Sequence, residues 1–198
     1  MSLNAPPEWT KEVTLRDGTM VLLRLEVASD IEMVWGMDST LSRESLRFLP
    51  SGFTREMVEG WLKNIDYEAI LPIVAVVDEP QGERIVGSAT LTFSKHPVFR
   101  HRAEFGINVH DDYQNRGLGT LLTKHIIEIA RVKGIRKIML MVVTENERAI
   151  RVYRNCGFEV EGRLRMEHYH TLTGEYGDDY RMAIILSSHP SILWGAFF

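Results

Sequence analysis

The chain has 198 residues, a formal net charge of −4, 44% hydrophobic residues and 25% charged residues, as in an ordinary globular protein large enough to bury a sizeable core. The acidic balance disfavours a nucleic-acid partner, which needs a basic face, and no apolar run reaches the ~20 residues of a membrane span. The single cysteine, Cys156, cannot close an internal disulfide, so a reducing, cytoplasmic location is expected.

In chain order, residues 1–11 carry Pro6 and Pro7 and are expected to form a loose lead-in. Residues 12–15 and 19–25, joined at Asp17-Gly18, read as a hairpin. Ser29-Asp30 can cap a helix to about Asp38, with Ile31, Val34 and Trp35 on one face. Residues 41–53 read as a loop ending at Pro50 and Gly52. Thr54 can cap a second helix whose apolar stripe is Met57, Val58, Trp61, Leu62 and Ile65. Residues 72–77 and 84–93 are apolar strands around a turn at Glu79-Pro80-Gln81-Gly82.

A strand over 103–109 then runs into His110-Asp111-Asp112-Tyr113 and the loop Gln114-Asn115-Arg116-Gly117-Leu118-Gly119. The next helix carries Leu118, Leu121, Leu122, Ile126, Ile129 and Ala130 at helical spacing. Residues 135–143 form a strand in which Ile138, Leu140 and Val142 alternate with Met139, Met141 and Val143. Another helix follows, and residues 158–162 and 180–186 close the chain's strands. Glu167 to Asp179 is polar and turn-rich, and 187–198 reads as a C-terminal tail. No repeat, linker or low-complexity tract divides the chain, so a single domain over 1–198 is expected. The pattern alone gives α/β with a mixed sheet.

The glycine loop opens a helix, whose unpaired N–H groups attract anions. It is not a phosphate loop of the Gly-Lys-Ser/Thr type, because Thr120-Leu121 follows Gly119. It is not a dinucleotide fingerprint, because position 122 is Leu. About twenty residues on stand Arg136 and Lys137 where an acid is needed.

Gln-x-x-Gly-x-Gly at 114–119, after a strand and opening a helix, resembles the coenzyme A loop of the GCN5-related N-acetyltransferases. Residues 146–158 are similar to that family's Asn-x-x-Ala-x-x-x-Tyr-x-x-x-Gly-Phe element, with Asn146, Ala149, Tyr153, Gly157 and Phe158 in place. The resemblance implies a mixed, mostly antiparallel sheet of about seven strands flanked by four helices. It implies acetyl-CoA as acyl donor, without a metal. It places the pyrophosphate on the N–H groups of Asn115, Arg116, Gly117, Leu118, Gly119 and Thr120, next to Gln114. The pantetheine arm would lie along Ile107, Asn108 and Val109 as an added strand. Asn146 would bond a pantetheine amide as well as cap its helix. Tyr153 would reach the thioester sulfur.

An amine nucleophile with pKa ~10.4 must lose a proton near neutral pH, and Glu104 is the first candidate base, by resemblance to relatives with a glutamate on this strand. Relatives that acetylate ribosomal protein N-termini carry a glutamate five residues before the motif asparagine, where this chain has Met141. His110 reads as a solvated loop histidine. His168 and His170 read as strand or loop histidines, since no third metal ligand accompanies them, and Cys156 reads as packing. The expected reaction is direct attack of a primary amine on acetyl-CoA. The acceptor would be a small amine or amino acid; protein lysine or N-terminal acetylation, and a non-catalytic coenzyme A-binding sensor, are the alternatives. Partners are thus an amine acceptor, with no nucleic acid or membrane, and a homodimer is compatible with the reading. Residues 26–68, expected to supply the acceptor pocket, hold nine acids against four bases, which would favour a cationic amine.

Overall fold

The computed structural model describes residues 9–49, 54–170 and 173–186. Among the described residues eight strands form one sheet, ordered β1-β2-β3-β4-β5-β6-β8-β7. Strand β1 is Lys11–Thr14, β2 Met20–Leu25, β3 Ile70–Glu79 and β4 Gly82–Phe93; β5 is Arg102–Val109, β6 Lys137–Val143, β7 Glu159–His170 and β8 Glu175–Ile185. All neighbours are antiparallel except β5 and β6. Among the described residues five α-helices flank the sheet: α1 Ile31–Asp38, α2 Arg43–Leu46, α3 Arg55–Lys63, α4 Leu118–Val132 and α5 Glu147–Asn155. The mixed α/β class is as expected. The described sheet has eight strands where the resemblance implies about seven.

Strand β3 is buried on both faces, as a central strand must be. Successive side chains point to opposite faces. Leu71, Ile73, Ala75 and Val77 therefore join the main core with Leu118, Leu122, Ile126 and Ile129 of α4 and Ile150 and Tyr153 of α5. Val74 and Val76 face the other way, against Ile85 and Met37 of α1. So α4 and α5 cover one face and α1 lies on the other, with α3 packed on α1.

Three sequence expectations are corrected. The supposed loop at 41–53 contains α2, capped by Ser42, whose Oγ accepts the Ser45 N–H at 3.1 Å; Pro50 to Phe53 lie outside the described residues. Of the stretch read as turn-rich, 167–170 belong to β7 and 175–179 to β8, which pair as a long hairpin. Trp9, in the supposed lead-in, packs against the core, and Lys133 lies 5.0 Å over its ring. The rest of the expected lead-in, 1–8, and the tail, 187–198, lie outside the described residues.

Candidate active site

The site begins where two strands part. Parallel β5 and β6 pair only at Arg102–Lys137, Ala103–Ile138 and Glu104–Met139. Beyond that, Phe105 to Val109 pair only with β4, and Leu140 to Val143 only with β8. The facing edges open as a wedge. His110 N–H donates to the Val86 carbonyl at 3.0 Å. In an antiparallel ladder the bonding direction alternates, so the backbone groups of Phe105, Ile107 and Val109 point away from β4 into the wedge. A cavity of about 1400 Å³ fills this opening, lined from both strands, from the glycine loop, from α1, α2 and α5, and from the β7–β8 hairpin.

The glycine loop forms one end. Gly117 caps α4 with φ 95°, a left-handed conformation that favours glycine. Gln114, Asn115, Gly117, Gly119 and Thr120 line the cavity. Two residues of the expected loop set turn their side chains elsewhere. Leu118 is buried in the core, and Arg116 pairs with Asp17 at 2.9 Å and lies 4.9 Å over the Tyr113 ring. Gln114 is a structural hub. Its Nε2 donates to Ser45 Oγ and to the Val109 carbonyl, both at 3.0 Å, and its Oε1 accepts from Arg148. Asp111 accepts from the Ser42 N–H at 2.9 Å and from the Ser42 and Ser45 hydroxyls, each at 2.7 Å. These bonds tie α2 to the glycine loop.

Helix α5 supplies the far wall. Asn146 caps it, its Oδ1 accepting the Ala149 N–H at 3.1 Å, so the capping reading holds, while the residue also lines the cavity. Two turns on, Tyr153 is 7% exposed. Its ring meets Phe105 edge-on at 6.1 Å and Phe158 at 5.9 Å, the spacing of favourable aromatic pairs. Burial pushes its phenol pKa well up. Glu104 stands exposed at the point where the strands part and lines the cavity. By strand alternation its side chain leaves the sheet on the face opposite Phe105.

One cavity residue left no signal in the sequence, and a second comes from the acidic segment expected to supply the acceptor pocket. Arg16, in the hairpin after β1, lines the cavity beside Gly117, where an added Cβ would lie 3.6 Å from its side chain. Asp38 lines it from the end of α1, and burial pushes its pKa up to about 6. Of the nine acids in 26–68, Asp38 alone is among the lining residues. Asp30 pairs with Arg24, Glu32 with Arg55, Glu59 with Lys63 and Asp66 with Lys95. Glu26 is buried, accepting the Trp61 indole N–H at 2.8 Å, and burial pushes its pKa up to about 7. The acidic rim expected from that segment does not form around the cavity.

His110 is not the solvated histidine expected. It is 4% exposed, with Nε2 3.0 Å from Thr40 Oγ1, and Nδ1 accepts the Asp112 N–H at 3.2 Å. Burial, then the Arg84 cation, lower its pKa, which favours neutral imidazole. Cys156 is half-buried, and burial raises its thiol pKa, in line with packing. No helix among the described residues is long and apolar enough to cross a membrane.

The split between two parallel strands thus opens onto one cavity that takes in a glycine-capped helix start at one end and a buried phenol on the wall. The acetyltransferase (GNAT) family model matches residues 39–158, and the chain belongs to that family. It is 36% identical over 119 residues to the L-amino acid N-acetyltransferase AaaT of Escherichia coli, covering 60% of this chain and 70% of that protein. It is 32% identical over 158 residues to the spermidine N(1)-acetyltransferase of Escherichia coli, covering 73% and 82%. A GNAT-family acetyltransferase structure from Streptococcus pneumoniae superposes with a TM-score of 0.70 at 27% identity, covering 84% of this chain and 99% of that one. The chain is an acetyl-CoA-dependent N-acetyltransferase.

Proposed function

We propose that this enzyme acetylates a small primary amine or amino acid by direct attack on acetyl-CoA. The observation that carries the reading is the wedge between β5 and β6, which opens into the cavity shared by the glycine loop, Tyr153 and Glu104. In this reading the pyrophosphate sits on the N–H groups at the start of α4, over residues 115–120, with Arg16 and Arg148 adding charge. The pantetheine arm joins the open edge of β5 along Ile107, Asn108 and Val109, as an added strand would. Its far amide meets the Asn146 side-chain amide.

The thioester then lies between Val109 and Tyr153. The Val109 carbonyl is occupied by Gln114, and its N–H, which alternation aims into the wedge, is the donor for the carbonyl oxygen as it gains charge. Glu104 receives the acceptor as an ammonium ion. Met141, which lines the cavity, stands where relatives that act on ribosomal N-termini place a glutamate, which favours a small acceptor over a protein. Arg47 also lines the cavity and offers a partner for the carboxylate of an amino acid.

Two measurements test this. The first is thiol release at saturating acetyl-CoA with neutral amino acids, linear polyamines and N-terminal peptides. Turnover of a small amine above any peptide is expected; a peptide preferred over every small amine overturns the acceptor assignment. The second is Gly119→Val. Its Cβ would meet Val109 Cγ2 at an ordinary 3.9 Å, so the fold should persist, and a helical glycine replaced by a better helix former is no loss. The added methyls narrow the cavity at the helix start. Calorimetry should show acetyl-CoA affinity falling about tenfold or more, or ~1.4 kcal/mol. Unchanged affinity in a folded variant removes this loop from the donor site.

A further inference from the structure

On β7, His168 lines the same cavity as Tyr153 and Glu104, and three features hold it in place. Its Nδ1 lies 2.8 Å from Oδ1 of Asp179, a carboxylate only 7% exposed on β8. A carboxylate oxygen accepts, so in the neutral imidazole this contact places the proton on Nδ1 and the lone pair on Nε2. Opposite His168 stands Gly177, where an added Cβ would fall 2.3 Å from the imidazole Cε1 and Nε2. The ring lies across the strand in space that only glycine leaves. Two residues on, His170 Nε2 donates to the Arg47 carbonyl at 2.6 Å, fastening the hairpin to α2.

A free amine of pKa ~10.4 is almost wholly protonated near neutral pH. Glu104 is an exposed carboxylate, suited to attracting the ammonium ion. An imidazole held in one tautomer by a buried carboxylate instead offers a fixed nitrogen lone pair for the proton. We propose that His168 is the base of the reaction and that Asp179 is its positioning residue; this rests on the acyl-transfer reading above. The acceptor enters as an ammonium ion and gives one proton to Nε2, and Asp179 stabilises the imidazolium. The nitrogen then attacks the thioester carbonyl; the C–N bond forms and the C–S bond breaks. The second nitrogen proton ends on the coenzyme A thiol, and the imidazolium returns its proton to water.

Of the charged and titratable groups, Asp179 of β8 and His170 of β7 touch this ring, while Arg47 after α2, Glu104 of β5, Asp38 of α1, Arg16, Arg148 and Arg151 line the same cavity. The test is the pH profile of kcat/KM for the best acceptor in the parent enzyme and in His168→Ala, Asp179→Asn and Glu104→Gln. His168→Ala should lose about 10²–10⁴-fold near pH 7, recover as pH rises and free amine accumulates, and regain part of its rate with added imidazole. Its acetyl-CoA affinity by calorimetry should match the parent. Asp179→Asn should displace the pH limb, and Glu104→Gln should raise KM while keeping that limb. A His168→Ala enzyme within threefold of the parent, or one that falls without rescue and with the limb unmoved, overturns the proposal, as does loss of the limb in Glu104→Gln. A parent that releases no thiol with any amine instead overturns the acyl-transfer reading, and this proposal with it.

Discussion

Tyr153→Phe is expected to lower kcat by about 10²–10⁴-fold, the range of a general-acid contribution, while KM for acetyl-CoA stays within a few-fold. Burial raises the phenol pKa, so Tyr153 stays protonated and acts as a hydrogen-bond donor, not as a base. A free thiol has pKa ~8.5 and an ordinary phenol ~10. Full transfer from phenol to thiolate is therefore uphill by about 2 kcal/mol before burial, and burial widens the gap. The hydroxyl's contribution is a hydrogen bond to the departing thiolate, made only as charge develops, and a group of that kind appears in kcat. Phenylalanine keeps the ring contacts with Phe105 and Phe158, so the thermal midpoint should hold. Steady-state kinetics with both substrates varied is the measurement. A kcat within a few-fold of the parent would make Tyr153 a packing residue only.

What the sequence disclosed was local. The glycine loop and the Asn146-to-Phe158 element are short runs whose spacing matches the helix they open or form, and the structure puts both on one cavity. The periodicity of α4 and the alternation of β6 follow from burying one face; Ile138, Leu140 and Val142 are all buried. What stayed hidden depends on chain-distant partners. Arg16 reaches the glycine loop from the distant turn between β1 and β2, aided by its N–H donating to the Arg116 carbonyl at 3.0 Å. Helix α2 is too short for a periodic signal and leans on Asp111. The β7–β8 hairpin carries polar side chains because it lies at the sheet edge and faces the cavity. His168 looked like a lone strand histidine because Asp179 meets it only across the ladder. The acids of 26–68 misled because charge counted along a chain does not tell which carboxylates already hold a cation.

Phe158→Ala should destabilise the enzyme by about 3–5 kcal/mol, the usual cost of emptying a buried aromatic site. Phe158 is 2% exposed and stacks on Phe105 at 6.2 Å. Its N–H donates to the Tyr153 carbonyl at 3.0 Å, so the residue also fixes the end of α5. At about 2–4 °C per kcal/mol for a chain of this size, the thermal midpoint should drop by roughly 6–20 °C. The loss reaches beyond stability. Phe105 sits on the open strand, Tyr153 on the opposing helix, and Phe158 packs against both. Removing it leaves the Tyr153 ring unsupported on one side, and a small displacement of a catalytic group is costly. Below its new midpoint, Phe158→Ala should therefore bind acetyl-CoA as the parent does and turn over more slowly, while Phe158→Leu, which refills most of the volume, should recover both measures in part. A midpoint within about 2 °C of the parent would mean that the aromatic trio does not hold this wall. A normal kcat in a clearly destabilised variant would mean that α5 positions Tyr153 through its backbone alone.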